Sequence, residues 1–341
     1  MLRISLSGLK PGVTLGKDIF SSNAQLLLPG GTVITQEHLD NFRSRNVFEV
    51  YINEAAPPSR SGKKFDDVFD DSLNVVKSFM LEAKLGKPLE FNEISDSTDL
   101  LVEQVFDARD LFRQMRLMKD KDDYLFTHSV NVALLSILLG RWLGCDKDTI
   151  KELGEAGLVH DVGKVFVPDY ILNKPGKLSP EEFEEMKKHT LMGYNLLIQN
   201  EEISHNIANA ALMHHERADG TGYPMGRTGY DNGLCVNVVA VADLYDAVTS
   251  TRVYSTKRSP YTAAEILWQE SFGKLDPRVA KVFYDKVTNF YVGNQVLLSN
   301  NETGIVVFVD PTIPTRPMVM VGDKFYDLSR DRSITVLEIV D

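Results

Sequence analysis

Five of the seven histidines of the chain are candidate metal ligands: His128, His160, His189, His214 and His215. Three of them occur in the segments H-D-V-G-K, which starts at His160, and H-H-E-R-A-D-G-T-G-Y-P, which starts at His214. A lone histidine is more often a core or surface residue than a ligand, and an adjacent H-D pair is weak evidence by itself. The gathering of several imidazoles and carboxylates, however, indicates a metal site.

The pair formed by His214 and His215 predicts two ions rather than one. Consecutive side chains on a helix point about 100° apart, so they cannot readily converge on one ion, and two neighbouring ions would use both. The two oxygens of Asp161 could bridge ions that lie about 3.5 to 4 Å apart, as carboxylates do in two-metal hydrolytic sites. Asp243, in V-A-V-A-D-L-Y-D-A, is a further candidate, for which a helix cap or a buried salt bridge is the structural alternative.

A ligand set of imidazoles and carboxylates without thiolates suits iron or manganese and tolerates zinc, cobalt or nickel. Such ions lower the pKa of a bridging water and produce hydroxide near neutral pH. Lys164 is either a surface cation at a helix end or a group that holds a phosphate oxygen. Gly220, Gly222 and Pro224 would form a plain turn in most sequences, but their position directly after the histidine pair makes this loop part of the site.

The elements that must position these residues are helices. Apolar residues recur at helix spacing between residues 65 and 291, for example in V-N-V-A-L-L-S-I-L-L-G-R-W-L, and long alternating runs are missing there. The predicted fold class is therefore mainly α, with short strands confined to a module at each end. The predicted boundaries are residues 1–55 for an N-terminal α+β module, 56–64 for a linker, 65–119 for a helical connecting segment, 120–291 for the domain with the histidines and 292–341 for a C-terminal β module.

The composition of the chain argues against some classes of binding partner. The net charge of -11 and the pI near 5.2 argue against broad electrostatic binding to a nucleic acid polymer or to an anionic membrane surface. The two cysteines, Cys145 and Cys235, are far apart in the sequence, which predicts neither a disulfide framework nor a thiolate metal site and favours a cytoplasmic location. No apolar run is read as a membrane span.

Taken together, H-D-V-G-K and H-H-E-R-A-D-G-T-G-Y-P resemble the HD-GYP family of cyclic-dinucleotide phosphodiesterases, over about residues 120 to 271. The intervening I-L-N-K-P-G-K-L-S-P-E-E-F-E-E-M-K-K-H also resembles that family. The resemblance implies an HD-GYP helical bundle and seven metal ligands, which are His128, His160, Asp161, His189, His214, His215 and Asp243.

The resemblance also bears on the number of ions and on the substrate. Some family members hold a third ion through a glutamate four residues before the first histidine; because Tyr124 occupies that position here, two metal ions are predicted. Family members also place a lysine or arginine after R-x-Y, where this chain has R-V-Y-S with Arg252 and Ser255, and Lys257 stands two residues further on. Asp161 and Lys164 are the predicted catalytic residues, and the predicted substrate-binding residues are Lys164, Arg252, Gly220, Gly222, Tyr223 and Pro224.

The predicted activity is hydrolysis of cyclic di-GMP to pGpG, with GMP after a second cut, by a hydroxide activated by the two ions. One alternative is another cyclic dinucleotide such as 3',3'-cyclic GMP-AMP, which the neutral Ser255 keeps open. A second alternative is a sensor or scaffold without turnover, which contacts protein partners through the G-Y-P loop. For the N-terminal module the alternatives are sensing, formation of a homodimer and simple packing.

Overall fold

The structure of the protein is a computed structural model that describes residues 63–105, 124–250 and 259–340 without a break, together with short pieces of residues 2–53 and 111–118. The chain divides into two compact units, Met1–Gly62 and Lys63–Asp341. The finer boundaries given above for the linker and for the modules remain predictions.

The described pieces of the first unit include five short strands: β1 (Leu2–Ser5), β2 (Thr14–Leu15), β3 (Ile19–Phe20), β4 (Leu26–Leu28) and β5 (Glu49–Asn53). Strand β5 is the centre of an antiparallel sheet of order β1-β5-β2, and β3 pairs with β4. The backbone N–H of His38 donates to Thr35 Oγ1 over 3.3 Å, which is the side-chain contact typical of a helix N-cap.

The second unit is built mainly from helices. In chain order they are α1 (Phe65–Lys84), α2 (Phe91–Gln104), α3 (Tyr124–Leu143), α4 (Lys147–Val159), α5 (Asp169–Leu172), α6 (Pro180–Leu197), α7 (His205–Met213), α8 (Leu234–Thr249), α9 (Pro260–Glu270) and α10 (Pro277–Val287). The described residues also contain two 3-10 helices: Val162–Phe166 lies between α4 and α5, and Thr288–Tyr291 follows α10 directly. The mainly α fold class predicted from the sequence is confirmed.

Several helices begin at a residue whose side chain caps them. Ser179 and Glu182 form a reciprocal capping box at the start of α6, in which Ser179 N donates to Glu182 Oε2 over 2.7 Å, and Pro180 occupies the first turn. Asp146 Oδ1 accepts the Thr149 N–H at the start of α4 over 2.8 Å. These local contacts fix the helix starts on either side of H-D-V-G-K.

Helices α3 and α8 form the centre of the second unit. Both are apolar around most of their circumference, and their side chains are buried from Thr127 to Gly140 and from Cys235 to Asp243. A helix that is hydrophobic all round needs neighbours on every side, and α2, α4, α7, α9 and α10 supply them. By length and hydropathy alone α3 would also suit a membrane span, but 78% of its apolar window is buried inside the protein, as in the core helix of a globular domain.

Gly163 fixes the closest approach between two elements of the site. A Cβ at this position would lie 2.0 Å from His189 O and 2.6 Å from Gly193 N, so the 3-10 helix Val162–Phe166 touches the backbone of α6 directly. Helix α4 already ends at Val159, and Gly163 lies inside the following 3-10 helix.

The chain ends in a five-stranded antiparallel sheet of order β10-β6-β7-β8-β9. Its strands are β6 (Gln295–Leu298), β7 (Thr303–Phe308), β8 (Met318–Val321), β9 (Lys324–Asp327) and β10 (Val336–Val340). Four of them contain apolar runs, which are V-L-L in β6, I-V-V-F in β7, M-V-M-V in β8 and V-L-E-I-V in β10. The fifth, β9, is a short and partly exposed edge strand that carries Lys324 and Asp327, so it lacks the apolar signal of a core strand.

Candidate metal centre

Seven side chains from five segments converge beside the central helices. His128 lies on α3, His160 and Asp161 follow α4 directly, His189 lies in the middle of α6, His214 and His215 follow α7, and Asp243 lies on α8. Six of the seven are buried, and His215 is the partly exposed member. The structure therefore brings together every residue that the sequence analysis named as a metal ligand.

The ligating atoms fall into two groups, each with all its atoms within 4.8 Å of one another. We call His128, His160 and Asp243 the first ligand group, and Asp161, His189, His214 and His215 the second ligand group. In the first group His128 Nε2 lies 3.0 Å from Asp243 Oδ1.

The carboxylate of Asp161 lies between the two groups. Its Oδ2 is 3.2 Å from His160 Nε2 and 3.7 Å from His128 Nε2. Its Oδ1 is 3.3 Å from His189 Nε2 and 3.7 Å from His214 Nε2. One oxygen therefore faces two histidines of the first group, and the other oxygen faces two histidines of the second.

Backbone contacts orient three of the histidine rings. His160 Nδ1 lies 2.8 Å from Gly157 O, His189 Nδ1 lies 2.7 Å from Met186 O, and His214 Nδ1 lies 2.9 Å from Ala210 O. Because a carbonyl oxygen can only accept, each Nδ1 carries a proton, and in the neutral form of the ring the lone pair is on Nε2. That lone pair is the donor that a metal ion requires.

Four polar atoms at the centre of the cluster are buried without a hydrogen-bond partner: His160 Nε2, Asp161 Oδ1, His189 Nε2 and His214 Nε2. An unsatisfied buried polar atom costs about 1 to 3 kcal/mol, so four together are not expected without a compensating ligand. All four are electron-pair donors directed at one region. The residues present therefore fit divalent cations, and the donor set consists of imidazoles and carboxylates.

The carboxylates of the cluster are charged. Burial alone would raise the pKa of Asp161, but the neighbouring His160 and Lys164 hold it well below its usual range. Burial opposes ionisation of Asp243 as well, but the hydrogen bond from His128 and the other surrounding histidines together hold the pKa of this carboxyl well below normal. Both aspartates thus present negative charge at neutral pH.

Three histidines of the cluster have a pKa that is shifted from its ordinary value. Burial lowers the pKa of His214 to about 3, and burial together with the adjacent imidazole lowers the pKa of His215 well below its ordinary value. Burial also disfavours a charged His128, but hydrogen bonds to Asp243 and to a second aspartate raise its pKa to about 9. An ion at the first group must therefore displace a proton from His128, because only neutral imidazole ligates metals.

The geometric argument made above for the His214–His215 pair is wrong. It placed both residues on a helix with diverging side chains, whereas α7 ends at Met213 and His214 is its C-cap. Beyond the helix the two rings approach to 4.0 Å between centroids, and both belong to the second group. What is compatible with two ions is the presence of two ligand groups, with the carboxylate of Asp161 facing histidines of both.

Of the cationic side chains predicted to bind the substrate, the structure describes Lys164 but not Arg252. Lys164 lies in the 3-10 helix Val162–Phe166, and its ammonium group donates to Asp161 Oδ2 at the edge of the cluster. Its side chain is 19% exposed, so it can be reached from solvent. Arg252, Ser255 and Lys257 lie outside the described residues.

The G-Y-P loop packs against the histidine pair. The Tyr223 ring lies 4.6 Å from that of His215 and 6.4 Å from that of His189, and Tyr223 N donates to His215 O. Gly222 allows this contact, since a Cβ there would lie 2.3 Å from Arg217 N and 2.5 Å from His215 O. Gly220 lies in the turn before it, and the Tyr223–Pro224 bond is cis.

Tyr124 is 38% exposed and stacks on His128, with 5.7 Å between centroids and 14° between planes. It thus occupies the surface next to the first ligand group, one turn before His128 on α3. An aromatic ring at this position offers no carboxylate to an ion.

Sequence reasoning missed two buried residues that organise the site. Asp246 Oδ2 lies 2.8 Å from His128 Nδ1, and Asp246 Oδ1 accepts from Asn131 Nδ2 over 3.0 Å. Glu216 accepts the backbone N–H groups of Met225 and Arg227 over 2.7 and 3.0 Å, and so holds the G-Y-P loop. The only available signal was their position beside ligands, as the second aspartate of A-D-L-Y-D-A and as the glutamate after H-H.

Residues 113–279 match the family model of the HD domain. A cyclic di-GMP phosphodiesterase of Pseudomonas aeruginosa is 36% identical over 234 residues, which are 68% of this chain and 56% of that protein. A 3'3'-cGAMP-specific phosphodiesterase of Vibrio cholerae is 36% identical over 174 residues, which are 50% of this chain and 40% of that protein. The chain thus spans about half of the length of these curated relatives.

A solved structure supports the fold independently. The protein described as HDG"Y"P from Bdellovibrio bacteriovorus superposes with a TM-score of 0.55 at 20% sequence identity. The match covers 83% of this chain and 98% of that one. At this identity the likeness concerns the fold, and it agrees with the helical arrangement described above.

Proposed function

We propose, from the match of residues 113–279 to the family model of the HD domain, that the protein is an HD-GYP-type metal-dependent phosphodiesterase of cyclic di-GMP. The expected products are pGpG and, after a second cut, GMP. The identity to the Pseudomonas aeruginosa enzyme supports this substrate, and the buried cluster of histidines and aspartates supports the chemistry.

The position of Asp161 is the observation that carries the proposal. One of its oxygens faces His160 and His128 and the other faces His189 and His214, at 3.2 to 3.7 Å. A carboxylate that is shared in this way between two sets of imidazoles is the arrangement expected of a bridging ligand in a two-metal hydrolytic site. A purely structural aspartate would instead have its acceptors filled by donors, whereas Asp161 Oδ1 has no hydrogen-bond partner.

The two ligand groups would hold one divalent ion each, with Asp161 shared between them. Iron and manganese are the ions we propose, because the donor set contains imidazoles and carboxylates and no thiolate. When bound, such ions lower the pKa of a coordinated water and neutralise phosphoryl oxygens. The protein contributes a buried site. The three histidine rings that donate to backbone carbonyls are already oriented towards the position of the ion.

Substrate binding is assigned to groups at the edge of the cluster. The Lys164 ammonium donates to Asp161 and is partly exposed, so it is placed to contact both the buried carboxylate and a phosphate oxygen of an entering dinucleotide. Tyr223, with Gly220, Gly222 and Pro224 beside it, forms one wall of the site. Burial raises the pKa of the Tyr223 phenol, so its O–H stays protonated and can donate a hydrogen bond. Arg252 is proposed as a second phosphate ligand.

A second candidate substrate is 3',3'-cyclic GMP-AMP. The relative from Vibrio cholerae that is named as specific for this dinucleotide matches half of the chain at 36% identity. Ser255 is neutral where HD-GYP proteins usually carry a lysine or arginine, so this chain offers one cation fewer at the position expected to hold a substrate phosphate. The two substrates are therefore compared directly in the test below.

Location and assembly complete the proposal. We propose a cytoplasmic protein without a nucleic acid polymer or a membrane as partner, because the net charge is -11 and both cysteines are free thiols. Protein partners would meet the G-Y-P loop, and a homodimer through the N-terminal module is part of the same proposal.

The test is product analysis by chromatography. Protein loaded anaerobically with ferrous iron, or with manganese, is incubated with cyclic di-GMP and with cyclic GMP-AMP in parallel. The control pair is Asp161→Asn and Asp276→Asn; Asp276 is also buried but caps α10 away from the cluster. We expect pGpG or GMP from the wild type and from Asp276→Asn, and none from Asp161→Asn. Absence of product from fully metallated wild-type protein would refute catalysis and favour the sensor or scaffold.

A further inference from the structure

His128 differs from the other anchored histidines in what holds its ring. Its Nδ1 lies 2.8 Å from Asp246 Oδ2, while His160, His189 and His214 are held by backbone carbonyls. Asp246 is 1% exposed, and it comes from α8, one turn after Asp243. One helix therefore supplies both a ligand of the first group and the group that orients another ligand of it.

Two further side chains fix the Asp246 carboxylate. Asn131 Nδ2 donates to Oδ1 over 3.0 Å, and Ser250 Oγ donates to Oδ2 over 3.1 Å. Asn131 lies on α3 about one turn after His128, so the same helix carries the ring and a brace for its partner. A carboxylate held on both oxygens cannot rotate away, and it keeps the His128 ring in one orientation with the Nδ1 proton in place.

The two ligand groups consequently differ in charge. The first group contains Asp243 as a direct ligand and has Asp246 directly behind His128. The second group contains three imidazoles and the shared Asp161. A carboxylate behind a ligating histidine makes its ring a stronger donor to a cation, and loss of such a partner typically weakens metal binding by about 10- to 100-fold.

We infer that Asp246 is a positioning residue that sets the affinity of the first ligand group, so that the two ion positions are unequal. The inference rests on the two-ion centre of the proposed function and extends it. Removing the charge of Asp246 weakens the ion held by His128, His160 and Asp243, and it leaves the ion held by the second group in place.

The experiment measures metal binding directly. Metal-free wild type and Asp246→Asn are titrated with Mn²⁺, bound metal is counted after equilibrium dialysis, and electron paramagnetic resonance distinguishes a coupled Mn²⁺ pair from a single ion. We expect two ions and a coupled pair in the wild type. We expect one tight ion, one ion weakened about 10- to 100-fold and an isolated-ion signal in Asp246→Asn.

Two further variants keep the result interpretable. Asp276→Asn removes a buried carboxylate outside the cluster and is expected to keep two ions and the coupled signal. Asn131→Ala removes a brace of Asp246 without changing its charge, and it is expected to weaken the same ion several-fold. It serves as the test if Asp246→Asn does not fold.

The possible outcomes separate the two proposals. Equal affinities of Asp246→Asn and wild type for both ions would overturn the inference, and so would equal weakening of both ions. A wild type that binds two ions but does not cleave a cyclic dinucleotide would refute the proposed function and leave the role of Asp246 intact. A wild type that binds fewer than two ions would overturn both.

Discussion

Gly163→Ala tests whether the contact between the 3-10 helix Val162–Phe166 and α6 positions the centre. A Cβ at residue 163 would lie 2.0 Å from His189 O, and ordinary contact begins at 3.4 Å, so the two backbones must separate by about 1.4 Å, the difference of these distances. Both atoms that the Cβ meets most closely belong to backbone, so no side chain can swing away. The shift would act on Asp161 and His189, which lie on opposite sides of this contact.

The size of the effect follows from that displacement. Overpacking in a closely packed interior costs about 1 to 3 kcal/mol, and a clash with backbone belongs at the upper end of that range. For a unit of this size 3 kcal/mol corresponds to a fall in Tm of about 6 to 12 °C. Misplacement of reacting groups by about 1 Å costs roughly 100-fold in rate, so we expect a loss of phosphodiesterase activity of that order.

The assay combines thermal unfolding by circular dichroism, the count of bound metal and the rate of hydrolysis. Gly144→Ala is the matched control, because its φ of 78° costs a substituted residue about 1 to 2 kcal/mol, but a Cβ there meets nothing within 4 Å. We expect this control to keep its metal and its activity. If Gly163→Ala retained the wild-type Tm, metal content and rate, the reasoning about this contact would be refuted.

Three further predictions concern the loop, the number of ions and pH. Glu216→Gln removes the carboxylate that accepts the Met225 and Arg227 N–H groups. Because hydrogen bonds to charged groups contribute about 1.5 to 3 kcal/mol each, we expect amide hydrogen exchange across residues 223–229, measured by mass spectrometry, to accelerate at least tenfold. Tyr124→Glu places a carboxylate one turn before His128, and we expect metal analysis to rise from two ions towards three; unchanged stoichiometry would count against the explanation given for two ions. His128, with its pKa raised to about 9, is protonated at neutral pH when no ion is bound. Metal binding at pH 7 should therefore release about one proton from His128, and the affinity for the metal should rise with pH up to about 9. Calorimetry in buffers of different ionisation enthalpy measures the number of protons released. Metal binding at pH 7 without proton release would contradict this assignment.

Much of the centre could be predicted from the sequence because its ligands lie in recognisable segments. H-D and H-H place four of the seven ligand candidates next to one another, and their neighbours identify the family. The long apolar helices could also be predicted from the sequence, because α3 and α8 are buried over most of their length and therefore consist mainly of apolar residues. Apolar periodicity thus predicted that these segments are helical.

The remaining features depend on contacts that no local pattern records. His128 and Asp246 are 118 residues apart in the chain, so their pairing exists only once α3 packs against α8. The end of α7 at Met213 was not predicted because neither glycine nor proline follows it within two residues, and this changed the expected directions of His214 and His215. Strand β9 has no apolar run from which it could be predicted, because its edge position leaves it without a buried apolar face.

The anchoring of the histidine rings has a consequence for transplanting this centre into another protein. His160, His189 and His214 each lean on a carbonyl three or four residues earlier in their own segment, so a short piece of helix carries both the ligand and its orientation. Such pieces could be moved as units, provided that their carbonyls stay in register with the ring. His128 cannot be moved alone, because its orientation belongs to a second helix, and a graft that omitted α8 would lose both Asp243 and Asp246.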